Sequence, residues 1–424
     1  MFLISIGISI FYFVLAIFIN LNWIHDIACY LGYPLAIYLV LFVALVPGFI
    51  FVFTLISLLC GKKKKKRCCK RPYDVTILIP VYNACDSIRE TIESIQRQKY
   101  CGRISVVIID DGSTDSTLEV LESLHLGYDV KVLKLEHRGK AAALNEGLKE
   151  VKTNYTITLD SDTVLHPDAL QNVMDSLTNA DPKTAATAGC IFVKNDQQNF
   201  ITKLQQWDYT LGIFGVKLYQ GEYSSTLVAQ GAFSAYKTNV LRQIGGWKSC
   251  VGEDIVLTWE LLSIGYQTNF AKDAISFTEV PSTFKGLFRQ RKRWARGMIE
   301  AFKKVLVLTS KQMNWKSKIL MLFNALFPFV DLALLIFVPV GLLFLIFGNS
   351  LLIGWLTLFV VLLGLILCLV IEVRRCNALR QVECKLERRS FFAFLFYVLL
   401  YAFILAPACI IGYCSELFNV RKKW

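Results

Sequence analysis

Residues 29–60 carry no charged side chain, and three further apolar blocks, at about 319–348, 351–371 and 391–414, fill most of the C-terminal part of the chain. Apolar runs of this length match the hydrocarbon thickness of a bilayer. Residues 2–19, "FLISIGISIFYFVLAIFI", are also uncharged and about long enough to span. They lack the basic start and the small-residue cleavage site of a signal peptide. These runs divide the chain into two transmembrane helices in 1–60, a basic juxtamembrane linker at 61–72, and an α/β domain at 73–283. Amphipathic interface helices at 284–315 and a C-terminal transmembrane region at 316–424 follow. The apolar fraction of 54% and the mean hydropathy of +0.47 belong to the spans; the middle segment is charged and mixed.

The formal charge is +13, and its densest run, "GKKKKKRCCKR" (61–71), directly follows an apolar segment. Lys and Arg beside a span mark its cytoplasmic end and attract anionic lipid. The run therefore implies membrane lipids and no nucleic acid as a partner. It also implies a multi-pass protein of the cell (plasma) membrane with its central domain in the cytosol. The 13 cysteines contain no C-x-x-C pair, which fits reduced thiols and not a disulfide framework or a zinc site. Cys68 and Cys69 read as free thiols, and the sequon at Asn154-Tyr155-Thr156 lies on the cytosolic side, where it is not used. Arg374, Arg375, Arg380, Lys385, Arg388 and Arg389 place the loop between the last two blocks inside. Three spans would then leave "RKKW" outside, against its charge, so either one block is interfacial or broken, with 319–348, which holds Pro328 and Asp331, the candidate, or the charge rule fails here.

From Asp74 the pattern alternates strand and helix. "DVTILIP", "ISVVIID", "DVKVLKL" and "YTITLD" read as four strands, with helices near 85–97, from "STDSTLEVLESL", and from "RGKAAALNEGLKEV". Asp115 or Ser113 can cap the second helix. Ala142, Leu144 and Leu148 form the apolar face of the third. This alternation predicts a parallel, Rossmann-like sheet with crossover helices, whose ligands bind beyond the carboxyl ends of the strands. Strand two ends in Asp110-Asp111 and strand four in Asp160-Ser161-Asp162. An extended backbone would point Asp160 and Asp162 the same way, roughly 7 Å apart. Mg²⁺ or Mn²⁺ takes one or two such carboxylates and completes its shell with substrate phosphates. In "FKGLFRQRKRWARGMIEAFKKVLVL" apolar residues recur at helical spacing from Phe284, and the opposite face is strongly basic, as in a helix lying in a membrane interface.

"PVYN" (80–83), "IIDDGSTDST" (108–117), "RGKAAALNEGL" (138–148), "LDSDT" (159–163), "GED" (252–254) and "QRKRW" (290–294) occur in this order. Together they resemble the membrane-embedded, processive branch of the inverting family 2 glycosyltransferases, which have a GT-A fold. That branch holds cellulose, chitin, hyaluronan and poly-N-acetylglucosamine synthases. The resemblance covers roughly residues 75–300 and looks most like the bacterial poly-N-acetylglucosamine synthases. It implies a GT-A domain inserted between transmembrane helices, a UDP-sugar donor, and a growing polysaccharide as acceptor. It leaves room for a small membrane or export subunit.

Residue by residue, the resemblance implies that Pro80, Tyr82, Asn83, Asp110 and Asp111 hold the nucleoside, with Lys140 and Asp160 at the nucleotide. Asp162, with Asp160, would bind Mg²⁺ or Mn²⁺. Asp254, beside Glu253, matches the general base, and an inverting displacement needs one because the acceptor hydroxyl loses a proton as it attacks. An ordinary Asp is a weak base, so burial is expected to raise its pKa. Gln290 and Arg293 would meet the pyrophosphate, and Trp294 would stack on the acceptor sugar. Asp208 and Tyr209, in "LQQWDY", resemble a further element near the acceptor. Two positions depart from the family pattern: Ala84 stands where Glu is common, and Gly252 where Thr is usual. In "AQGAF" (229–233) only Gly231 and Phe233 match. The expected activity is polymerisation of UDP-N-acetylglucosamine and passage of the polymer across the membrane. A hyaluronan- or cellulose-type synthase, a non-processive transferase with a lipid acceptor, and a non-catalytic membrane protein are the competing readings.

Overall fold

Alternation along each strand sorts the apolar residues of the middle segment onto the two faces of one sheet. The computed structural model describes residues 1–61, 72–124, 129–305, 310–348, 355–386 and 389–421. The lysine run, Cys68, Cys69, Arg388 and the last residues of "RKKW" lie outside these. The strands are β1 (Val75–Val81), β2 (Ile104–Asp110), β3 (Asp129–Lys134), β4 (Tyr155–Leu159), β5 (Thr163–Leu165), β6 (Thr184–Val193), β7 (Phe233–Lys237) and β8 (Gln267–Thr278). They form one sheet in the order β3-β2-β1-β4-β7-β6-β8-β5. Ile77 and Ile79 of β1 pack with Ile92 and Ile95 of the helix Ile88–Gln96 on one face. Leu78 packs with Leu144 and Leu148 of the helix Lys140–Glu150 on the other. In that helix the buried alanines are Ala141 and Ala143, and Ala142 is half-buried. The N-cap of Thr117–Glu122 is Ser116, neither Asp115 nor Ser113, although Asp115 accepts from the Thr117 N–H at 3.1 Å.

β1 pairs in parallel with β2 and β4, and β2 with β3, as the alternation predicts. The second half of the sheet corrects the expectation of a parallel sheet. β7 runs antiparallel to both β4 and β6, and β5 antiparallel to β8, so the sheet is mixed. The acidic pair at the end of β4 is corrected for the same reason. The chain turns at once to enter β5, and the Thr163 N–H bonds the Asp160 carbonyl at 3.1 Å. Asp160 and Asp162 therefore flank a tight turn and do not lie along an extended strand. Because β1 lies between β2 and β4, the ends carrying Tyr82, Asp111 and Asp160 are neighbours.

Among the described residues, five helices are long and apolar enough to cross a membrane: Phe2–Ile19, Tyr33–Leu59, Trp315–Ile346, Trp355–Gln381 and Phe391–Leu417. A short helix, Leu21–Leu31, joins the first two. The expected break near 319–348 is absent, since Trp315–Ile346 is one helix with Pro328 and Pro339 inside it. In the interface region the described residues form the helix Phe284–Lys304, capped by the Thr283 hydroxyl on the Gly286 N–H. Its basic face is not wholly outward: Arg291 and Arg296 are buried. Arg296 pairs with Glu416 at 2.8 Å, and Gly412 admits the backbone of Lys292 and the methyl of Ala295. Three helices contain wider π-helical turns, at Leu41–Leu45, Tyr209–Gly215 and Tyr397–Tyr401.

Candidate active site

At the end of β1, Tyr82 is exposed and its ring stacks on His137, with centroids 4.2 Å apart. Asn83 takes a positive φ of 50°, which Asn tolerates. Its side-chain oxygen accepts from the Thr114 N–H at 2.8 Å, tying the β1 and β2 loops together. Asp110 accepts from the Ser113 N–H. Asp111 is buried, and its two oxygens accept from the N–H groups of Arg138 (2.9 Å) and Gly139 (2.8 Å). His137 Nδ1 lies 2.9 Å from the same carboxylate. Gly139, at φ 93°, turns the chain so that these groups converge and Lys140 opens its helix at the sheet edge. The structure thus gives Asp111 a holding role within the chain, while Pro80 is half-buried in β1 opposite Ile109 of β2.

Next to it stands a cluster of three acids around one amine. Lys140 Nζ is 2.5 Å from Asp160 and 3.9 Å from Glu253. Burial pulls the Lys140 pKa down, but Asp160, Glu253 and Asp254 outweigh it, and the ammonium is held above its ordinary range. Gly231 makes room here, because a Cβ at that position would meet Lys140 Nζ at 2.8 Å. Glu253 and Asp254 begin the helix Glu253–Ser263, where its dipole favours negative charge. Burial first, then the Asp254 and Asp160 charges, push the Glu253 carboxyl up to about 7 against Lys140. Asp254 is half-buried, and its Oδ1 accepts from the Ile255 N–H at 2.8 Å.

Asp162 accepts from the hydroxyls of Thr278 (3.1 Å) and Thr163 (3.2 Å). Burial, then the Asp160 charge, raises its pKa, while those hydroxyls and Lys140 oppose. A carboxylate raised by a second carboxylate beside it is suited to a cation. Among the described residues no group of three His, Cys, Asp or Glu could complete a metal site by itself. The donor set fits Mg²⁺ or Mn²⁺ that takes Asp160 and Asp162 from the protein and phosphate oxygens from a ligand.

The "QRKRW" helix contributes a third group. Trp294 is 37% exposed, Arg293 is exposed, and Gln290 is half-buried with its Oε1 unpartnered among the described residues. The Trp294 and Tyr209 rings lie 6.2 Å apart, and Asp208 pairs with Arg291 at 2.5 Å. Burial raises the Tyr209 pKa, with the Asp208 and Asp162 charges adding to it and Arg291 opposing. Four contributors escape a reading of the sequence: His137, Thr278, Arg291 and Lys217. Lys217 is buried, donates to the Val228 carbonyl at 2.9 Å, and is pulled down by burial to about 7, with Asp254 opposing. The helical burial of "VKLYQGE" is the only sequence signal for it, and that pattern does not distinguish a buried amine from a solvated one.

The fold of sheet and flanking helices has a solved counterpart. The chain is similar to a mannosyltransferase from Pyrobaculum calidifontis in complex with GDP-Man and Mn²⁺, with a TM-score of 0.59 over 89% of this chain and 96% of that one. At 19% identity the likeness is one of fold. The class so defined is the GT-A glycosyltransferases, transferases of sugar nucleotides. The family model described as glycosyltransferase like family 2 matches residues 72–297, and the chain belongs to that family. Poly-beta-1,6-N-acetyl-D-glucosamine synthase of Staphylococcus epidermidis is 32% identical over 225 residues, 53% of this chain and 54% of that protein. The enzyme of the same name from Staphylococcus aureus is 31% identical over 249 residues, 58% of this chain and 60% of that one. The chain spans a little over half the length of these curated relatives.

Proposed function

We propose that this chain is an inverting, processive transferase that builds a β-linked polymer from UDP-N-acetylglucosamine and passes it through its own membrane helices. The observation that carries this reading is the meeting of Lys140, Asp160, Glu253 and Asp254 beyond the carboxyl ends of β1, β2 and β4. The names of the relatives support the sugar, and the five apolar helices support a multi-pass place in the plasma membrane with the sheet domain in the cytosol.

In this mechanism Tyr82, Asn83 and the Asp110–Asp111 turn border the uracil and ribose. Asp254 accepts the proton of the acceptor hydroxyl as that oxygen attacks C1 of the donor sugar. The bond from C1 to the β-phosphate oxygen breaks on the opposite face, with inversion, and UDP departs. Lys140 and Arg293 offset the diphosphate charge. A divalent cation, when held by Asp160 and Asp162, adds to that neutralisation. Burial pushes the Glu253 carboxyl up, which reduces its negative charge near neutrality. That lowers repulsion against the incoming diphosphate. Trp294 offers an indole face to the terminal sugar of the acceptor.

The test uses the full chain purified in detergent and incubated with each UDP-sugar and Mn²⁺ or Mg²⁺. UDP release and polymer length are scored together. Long polymer from UDP-N-acetylglucosamine supports the reading. UDP release with a single sugar added to lipid would replace it with a non-processive transferase. Trp294→Ala should keep UDP affinity and lose elongation; normal polymer per folded molecule would remove Trp294 from the acceptor role.

A further inference from the structure

Arg291 is not one of the three residues by which "QRKRW" resembles its family, yet it is the buried one. Its guanidinium carbon lies 4.1 Å from the Trp294 ring centroid, so one face of that indole is already occupied. Its Nη2 lies 2.5 Å from Asp208, and the two side chains are only 9% and 14% exposed. Arg291 Nε has no hydrogen-bond partner among the described residues. The group is therefore held by charge and by stacking. Asp208 in turn accepts from the Tyr401 hydroxyl at 3.3 Å, and the Tyr401 and Tyr397 rings lie tilted against each other with centroids 4.9 Å apart. Asp208 directly precedes the π-turn Tyr209–Gly215, and Tyr401 closes the π-turn Tyr397–Tyr401 in the last membrane helix. Such turns are frequent at functional sites, and here two of them are joined by one hydrogen bond.

A buried guanidinium costs desolvation that a surface Lys or Met would avoid. A planar cation on an indole face also fixes the plane of the ring. We propose that Arg291 is a positioning residue: anchored by Asp208 and, through it, by Tyr401 of the last membrane helix, it orients Trp294 so that the free indole face meets the terminal sugar of a β-linked N-acetylglucosamine acceptor. This rests on the reading of Trp294 as the acceptor platform. Asp208 then acts on the acceptor through Arg291 and not by contact.

The test uses the full chain in detergent with a β-1,6-linked N-acetylglucosamine tetrasaccharide as acceptor. Arg291→Met should raise the KM for the tetrasaccharide about tenfold and leave the KM for UDP-N-acetylglucosamine within about twofold. Asp208→Asn should shift the same parameter in the same direction. Arg291→Lys, which keeps the charge but not the plane, should recover part of the loss. An unchanged acceptor KM overturns the proposal, and so does an equal rise in both constants, which marks general damage. UDP affinity and the elution profile report folding of each variant. A second readout is the change of Trp294 fluorescence on adding tetrasaccharide, with Trp294→Phe as blank. If the parent elongates nothing but shows a Trp294 response that Arg291→Met abolishes, the polymerase reading fails and this one stands. If the parent shows no response, this one fails.

Discussion

Gly252 and Gly297 meet backbone to backbone: a Cβ on Gly252 would lie 2.9 Å from the Gly297 Cα, and a Cβ on Gly297 2.9 Å from the Gly252 Cα. The Val251 N–H beside this contact donates to Glu300 at 2.8 Å. The turn that carries Glu253 and Asp254 is thus seated on the helix that carries Gln290 and Trp294. Position 252 has no room for a side chain in this chain. Gly252→Thr should lower stability by about 1–3 kcal/mol and reduce transfer, since the overpacked turn must move. Thermal midpoint and turnover measured together check this, and a variant matching the parent in both would show that the two backbones separate freely.

Asp254→Asn should lower turnover by about a hundredfold or more, the range of a lost general base, with UDP affinity kept. The amide preserves shape and cannot take a proton. Single-turnover transfer and UDP calorimetry separate the two effects, and substantial polymer from this variant would assign the base elsewhere.

Asp162→Ala should abolish most of the gain in UDP affinity that Mn²⁺ provides, because one of two protein carboxylates for the cation is gone. Thr278→Val should weaken that gain less, since it removes only a hydroxyl that orients Asp162. Titration of UDP with and without Mn²⁺ reads both. Equal metal enhancement in Asp162→Ala and the parent would move the metal site.

Glu253 makes stability depend on pH. Its folded value is about 7 against an ordinary 4.5, so between those values the folded protein holds a proton that the unfolded chain has released. The stabilisation is complete below about 4.5 and is lost as pH rises to about 7. The thermal midpoint of the nucleotide-free protein should fall across this window, and Glu253→Gln should flatten the fall. A slope that survives in Glu253→Gln would place the titrating group elsewhere.

The first four strands, their acidic ends and the helix carrying "QRKRW" were legible because each is written locally, in alternation or helical spacing. The antiparallel half of the sheet was not, since "FSAYK" alternates equally well in either direction and only its partners β4 and β6 decide. Asp160 and Asp162 were legible as a pair but not in their geometry, which β8 sets by drawing Thr163–Leu165 across to pair with it. Arg291 and Arg296 read as part of a solvated basic face. Their carboxylate partners, Asp208 and Glu416, lie far away in sequence, and no local pattern announces a buried pair. The raised carboxyl of Glu253 was not legible, because burial and the Asp254 and Asp160 charges that push it up come together only in the fold.

The family match stops at residue 297, inside a helix that runs on to Lys304. Arg296, just before that limit, finds its carboxylate on Glu416, and Gly412 of the same membrane helix lets the two helices touch. The unit recognised by homology and the unit that folds are therefore different. An excised sheet domain would carry a guanidinium made for a buried partner it no longer has, and an apolar seam along Leu287 and Ala295 that the rest of the chain normally helps to seal. Work on isolated catalytic fragments would then measure a molecule that has lost part of its interior. The long apolar helices thus serve the sheet domain as scaffold.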